Sequence, residues 1–250
     1  MTGLRSFCLI LACSVLAACT NTRPVGMRGA QFAPSPNFDI RKPDLVVIHH
    51  TGDATLDGAL RTLTSTLRKV SAHYVIGRDG RIVQLVDERH RAWHAGVAWW
   101  GGLTDINSVS IGIELVNNGH EPYADVQIAA LLTLLADLRG RYRIPVANYL
   151  GHADVAPGRK VDPSAWFPWE TLAQQGFGLW CDPASLLPPP EGFDLATALT
   201  ALGYNPATPE ASRAAFLLHF AHAAPLGDWQ QKALAACLLR QRALPQGQDN

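Results

Sequence analysis

The chain reads as an α/β protein, a mixed central β-sheet flanked by helices, followed by a small three-helix module. Between residues 44 and 181, short apolar runs of strand length alternate with two helical patterns. Then comes Pro188-Pro189-Pro190, a run that fits neither a helix interior nor a central strand. Beyond it only helical spacing recurs.

Strand-like runs occur at Leu45–His49, His73–Ile76, Ile82–Val86, Ser110–Leu115 and Asn148–His152. Asp79-Gly80, between the second and third, is a turn signal and predicts a hairpin. One helix is predicted over Leu56–Arg68 and a longer one over Ala124–Arg139. The longer places Ile128, Leu131, Leu132, Leu135 and Leu138 on one face, with Gly140 helping to stop it. Past the prolines, Phe193–Leu202 is stopped by Gly203. Thr208-Pro209-Glu210 opens a second helix with a hydroxyl cap and proline at its first position; it carries Ala214, Leu217, Leu218 and Phe220. A third opens at Asp228 and runs through Leu234, Cys237 and Leu238. The boundaries that follow are a signal at 1–18, a tether at 19–43, a catalytic domain at 44–181, a linker at 182–192, a helical module at 193–243 and a tail at 244–250. A module set off by prolines is expected to fold independently or nearly so.

Formal charge is balanced, 21 basic against 21 acidic residues, which leaves no electrostatic footprint for nucleic acid. Arg5 precedes the apolar stretch Phe7–Ala18, which is too short to span a bilayer comfortably. It ends in Leu16-Ala17-Ala18-Cys19, which resembles a bacterial lipobox; an ordinary secretory signal with an incidental cysteine is the alternative. The resemblance implies cleavage before Cys19, lipid attachment to it, and a membrane contact through that anchor. Thr20, where no Asp stands, implies sorting to the periplasm-facing outer membrane of a Gram-negative cell. Residues 19–43, rich in Gly, Pro, Asn and Ser, read as a tether. Cys8 and Cys13 leave with the signal. Cys181 and Cys237 remain, either as a pair or as buried free thiols.

His49 ends the apolar run Leu45–Ile48, His152 follows Asn148–Gly151, and Asp162 closes the loop Ala156–Val161. Two imidazoles and a carboxylate suit a tetrahedral zinc and leave its fourth corner open, an arrangement for catalysis. Neighbours on a strand face opposite ways, so only one of His49 and His50 can point at the metal. Taken singly, each histidine is as well explained by packing or solvent contact.

Four separated motifs recur in order: Val47-Ile48-His49, Ser71-Ala72-His73-Tyr74, Ser110-Ile111-Gly112-Ile113-Glu114, and the run His152–Pro163. Over about residues 40–180 the chain resembles the type-2 N-acetylmuramoyl-L-alanine amidases, whose zinc amidase fold is shared with phage amidase-type lysozymes and peptidoglycan recognition proteins. The resemblance implies Zn2+ on His49, His152 and Asp162, with peptidoglycan and muropeptides as partners. The bond it implies is the amide between N-acetylmuramic acid and L-alanine, cleaved for cell-wall turnover or recycling. Glu114 then matches the family's proton-transferring acid, and Lys160 faces the developing oxyanion. Read alone, Glu114 is equally a partner for a basic residue at a sheet edge, and Lys160 a solvated loop charge. His94, in Trp93-His94-Ala95-Gly96, and Asn107 fall where the family lines its substrate groove. Residues 193–243 resemble a peptidoglycan-binding-like module. The alternative is a peptidoglycan-binding lipoprotein without catalysis, which the filled ligand positions argue against; a purely structural tether leaves the metal site unexplained. Trp99-Trp100-Gly101-Gly102 reads either as an exposed aromatic loop for sugar stacking or as core and turn. His90, His120, His219 and His222 have no partner pattern and read as surface positions.

Overall fold

Ser110-Ile111-Gly112-Ile113-Glu114-Leu115 alternates strictly, and in a strand such alternation sends polar and apolar residues to opposite faces. The computed structural model describes residues 42–222 and 224–244. The expected signal, Cys19 and nearly all of the tether and tail lie outside them. In the structure the segment is β4 (Ser110–Leu115), the middle strand of five. The others are β1 (Leu45–His50), β2 (Tyr74–Ile76), β3 (Ile82–Gln84) and β5 (Tyr149–Gly151), in the order β3-β2-β4-β1-β5. β1 runs parallel to β4 and β5, and β2 parallel to β4. β3 returns antiparallel through the predicted hairpin, where Gly80 takes φ of 81°.

Val46, Ile48, Ile111, Ile113 and Leu115 cover one face and pack on α3 (Asp125–Tyr142) through Leu131, Leu135 and Leu138. α3 runs straight through Gly140. A single exposed helical glycine costs only about 1 kcal/mol, and Tyr142 packs against the core one turn beyond Leu138. The stop falls at Arg143, in the left-handed conformation, just ahead of Ile144-Pro145. α1 (Leu56–Leu63), capped by the Thr55 hydroxyl, ends earlier than its apolar pattern suggests. Thr64 bonds back to the Leu60 carbonyl at 2.8 Å, and the hydroxyl residues that follow compete with the helix for backbone groups. Short helices α2 (Ile106–Val109), α4 (His152–Val155) and α5 (Trp169–Gln174) border the sheet.

Leu45, Val47 and Leu150 point to the opposite face. There they share one core with α6 (Leu195–Leu202), α7 (Pro209–Ala221) and α8 (Asp228–Ala243), through Leu199, Phe216, Phe220, Leu234 and Leu238. The proline segment has no regular structure, yet the helices beyond it build no separate interior. Near-independent folding does not fit that arrangement: α6–α8 pack on one another and share their interior with that face of the sheet. Cys181 and Cys237 form a disulfide, so neither is a free thiol. Trp100 is core, edge-on to Tyr204 at 5.0 Å and against Gly203, so the reading of its loop as core and turn holds for this residue.

Candidate active site

The carboxyl ends of parallel strands are where α/β sheets leave a crevice. Here His49 and Glu114, each one residue before the end of β1 and β4, are directly paired in register, and β5 leads into His152 at the start of α4. The loop after α4 brings in Lys160 and Asp162, and together these residues line a cleft of about 190 Å³. Thr62 and Leu63 of α1, with Val70, Ser71 and Trp93, form a further wall.

His49 Nδ1 lies 2.9 Å from His152 Nδ1 and 3.2 Å from Asp162 Oδ2, and His152 Nδ1 lies 3.0 Å from the same oxygen. Zinc bonded at about 2.0–2.1 Å makes a tetrahedron with edges of about 3.3–3.4 Å, so this triangle is close to one of its faces. The outer ring nitrogens provide a test of fit. For both Nδ1 atoms to present lone pairs, both Nε2 atoms must carry protons and need acceptors. His49 Nε2 has His94 Nδ1 at 3.1 Å, and His152 Nε2 has the Ala95 carbonyl at 3.1 Å. The relay continues from His94 Nε2 to the Ser110 hydroxyl at 3.1 Å and from that hydroxyl to the Ile106 carbonyl at 2.6 Å. Such partners orient metal-binding histidines and set their tautomer. Burial pushes the His49 ring down to about 4, helped by the neighbouring His152, so His49 is neutral at physiological pH. Burial alone would raise Asp162, but hydrogen bonding and charge from His152 and His49 outweigh it and hold the carboxyl well below the usual range. Two imidazoles and a carboxylate form the N/O donor set that zinc accepts.

Glu114 faces the same cleft, and its buried Oε2 has no hydrogen-bond partner among the described residues. Burial pushes its carboxyl up to about 8, Asp162 and Asp53 adding to the rise and Lys160 opposing it. An unpartnered, proton-holding carboxyl beside a three-ligand site is a group able to move a proton at neutral pH. His94 lies across Gly112, lining the cleft while bonded to His49. Asn107 sits beneath the cleft rather than on its wall. It is buried, and its Oδ1 accepts from the His94 and Ala95 backbone N–H groups at 3.1 and 2.8 Å. Asn107 thereby holds the segment that serves both histidine ligands. His50 is half-buried on the cleft rim, 3.5 Å from the Tyr123 hydroxyl, and is not one of the three converging residues.

Three contributors escaped the sequence. Arg159 bonds the Ala95 and Val97 carbonyls and so clamps the loop that carries the acceptor for His152. Asp154, buried two residues after His152, accepts from Gly151 N, Tyr204 and His219. His219, expected at the surface, is buried between Trp169 and Phe220 because that carboxylate and two aromatic planes accommodate it. His222 is exposed as expected. Within this set Asp154 and Arg159 carried a sequence signal, their place in the run His152–Pro163; His219 carried none.

A mixed sheet with a two-histidine, one-carboxylate cluster that could hold a metal, and a carboxyl beside it in one cleft, is the layout that metal-dependent hydrolases use. The sequence profile of the N-acetylmuramoyl-L-alanine amidase family matches residues 39–165. The chain is 40% identical over 197 residues to N-acetylmuramoyl-L-alanine amidase AmiD of Escherichia coli, covering 71% of this chain and 70% of the relative. A solved complex of E. coli AmiD with anhydro-N-acetylmuramic acid-L-Ala-D-γ-Glu-L-Lys superposes with a TM-score of 0.70 at 35% identity, over 87% of this chain and 97% of that one. AmpDh3 of Pseudomonas aeruginosa, solved with an anhydromuramic pentapeptide, gives 0.71 at 28% identity, over 88% and 99%. The chain belongs to the N-acetylmuramoyl-L-alanine amidase family of enzymes.

Proposed function

We propose that this amidase is zinc-dependent and cleaves the bond between N-acetylmuramic acid and L-alanine in peptidoglycan fragments, in cell-wall turnover or recycling. The observation that carries the proposal is the convergence of His49 Nδ1, His152 Nδ1 and Asp162 Oδ2 beside the unpartnered Glu114 carboxyl. Bound there, zinc supplies Lewis acidity toward water and toward a carbonyl. Glu114, in its ionised form, takes the proton of the attacking water and returns it to the departing amine; the burial that raises its proton affinity strengthens it as that base. Lys160, on the cleft wall, offers its ammonium to the oxygen that gains charge. His94 keeps His49 oriented while exposing part of its ring to substrate, and Asn107 fixes the loop behind it. The ligands of AmiD and AmpDh3 make anhydro-muropeptides the first substrates to try. Muropeptides with and without the anhydro end, digested by the purified protein and resolved by mass, should lose their peptide at the lactyl amide. Chelation should abolish the reaction and added zinc restore it; full turnover by metal-free protein would refute the zinc reading.

Leu16-Ala17-Ala18-Cys19 supports a further part of the proposal, a lipid anchor that holds the enzyme at the outer membrane facing the periplasm. More than one acyl chain makes such attachment persistent, since each buried methylene contributes about 0.8 kcal/mol. Cys19→Ala should abolish lipid labelling and release the protein from the outer-membrane fraction. An unlabelled parent protein would defeat the anchor without touching the amidase assignment.

A further inference from the structure

We propose that Tyr204 and His219, from the C-terminal helices, are positioning residues for the metal centre: they hold the Asp154 carboxylate that fixes the one-turn helix beginning at His152. This rests on the zinc reading of the site. α4 is only four residues long, and a single turn has little rigidity of its own. Two backbone bonds tie it locally, Ala156 N to the His152 carbonyl at 2.9 Å and Ala153 N to the Asp162 carbonyl at 2.8 Å. The second joins the segments carrying two of the three ligands. Trp99 N holds the far end of α4 through the Val155 carbonyl at 2.7 Å, and Asp154, only 1% exposed, ties its start to the C-terminal helices. Its Oδ2 accepts from Gly151 N, immediately before His152, at 2.7 Å and from His219 Nδ1 at 2.6 Å. Its Oδ1 accepts from the Tyr204 hydroxyl at 2.7 Å. A buried carboxylate must be saturated by donors, and two of these three come from beyond the proline segment.

His219 acts by packing as well. Its ring stacks on Trp169 with centroids 3.7 Å apart, and Trp169 together with Pro163 leaves Gly151 no room for a Cβ. The imidazole therefore backs both ligand-bearing segments, Gly151-His152 and Asp162-Pro163. Its Nε2 has no partner among the described residues, which leaves the Asp154 bond as its polar function. The C-terminal helices thus complete the metal centre from behind, besides whatever wall material they contact.

The test is zinc affinity, measured by competition with a chromophoric chelator on the disulfide-intact chain. Tyr204→Phe removes one hydroxyl and keeps the packed ring; His219→Ala removes donor and stack; His219→Asn restores a donor. Leu234→Ala, in the shared core away from Asp154, controls for stability alone. Tyr204→Phe and His219→Ala should each weaken zinc binding by about tenfold or more, the scale for partners that orient ligands, with His219→Asn recovering much of the loss. Leu234→Ala should lower the unfolding temperature and leave zinc affinity intact. If His219→Ala does not fold, Tyr204→Phe decides. Wild-type affinity in Tyr204→Phe, or a loss no greater than that of Leu234→Ala at matched stability, overturns the proposal. A parent chain that binds no zinc overturns the zinc reading and this one with it.

Discussion

Gly112→Ala should weaken the metal centre without touching any ligand. A Cβ at residue 112 would stand 2.3 Å from His94 Cγ and 2.5 Å from Cδ2. Carbon atoms in ordinary contact are about 3.5–4.0 Å apart, so the ring must retreat by more than about 1 Å. Its freedom to do so is small, because Asn107 holds its backbone and Ser110 holds Nε2. The retreat stretches the 3.1 Å contact between His49 and His94 beyond hydrogen-bond range. Losing such an orienting partner costs about 10–100-fold in metal affinity, or about 1.4–2.7 kcal/mol, beside an overpacking cost of about 1–3 kcal/mol in stability. Zinc affinity by chelator competition and thermal unfolding of the same samples separate the two effects. The clash also predicts coupling. In a His94→Ala background there is no ring to displace, so Gly112→Ala should add little. Wild-type zinc affinity in Gly112→Ala, or full additivity of the two substitutions, would refute the reasoning.

Glu114→Gln and Lys160→Ala should keep zinc and fold but lose turnover, for Lys160 by about a hundredfold or more; His152→Ala and Asp162→Ala should lose zinc and activity together. Glu88 sets an acid limit on stability. Burial would raise its carboxyl, but hydrogen bonds from Arg141, Tyr142 and Tyr74 outweigh that and hold it at about 2, against 4.5 ordinarily. Its contribution is therefore complete above about pH 4.5 and disappears as pH falls toward 2. Unscreened it amounts to about 3 kcal/mol; Arg141 is 41% exposed, and solvent screening reduces that to about 2 kcal/mol. Denaturant titrations across this range should show a steeper decline in the parent than in Glu88→Gln. Opening the Cys181–Cys237 bridge, which spans 56 residues of sequence, should cost about 2–4 kcal/mol, and a chain ending at Leu187 should lose cooperative unfolding, since it strips one face of the sheet. A truncated chain that melts as sharply as the parent would show that the shared core is dispensable.

Much of this protein was legible along the chain because its controlling patterns are local. Period-two alternation located β4 and put Gly112 and Glu114 on the face opposite Ile111 and Ile113. Asp79-Gly80 marked the hairpin, and leucine spacing marked α3. His49, Glu114, His152, Lys160 and Asp162 were recognisable because each sits in a contiguous motif, and the fold gathers all five in one cleft. Element ends were less legible: α3 passed Gly140 because packing of Tyr142 outweighs one weak helix former, and α1 stopped early where hydroxyl side chains compete for its backbone.

Tertiary structure alone decided which groups support the ligands and whether the C-terminal helices stand apart. Asp154 meets Tyr204 across 50 residues and His219 across 65, and no periodicity encodes such a meeting. A buried carboxylate takes whichever donors the fold brings within 3 Å. For the same reason His219, which looked like a surface residue on its own helix, became a buried one. Helical spacing reports which side of α7 is apolar, whereas the partner of a polar group on that side depends on what packs against it. The shared core follows the same logic: the sequence marks the apolar stripes of α6–α8, but only the folded chain shows that they pack on one another and on one face of the sheet in a single core.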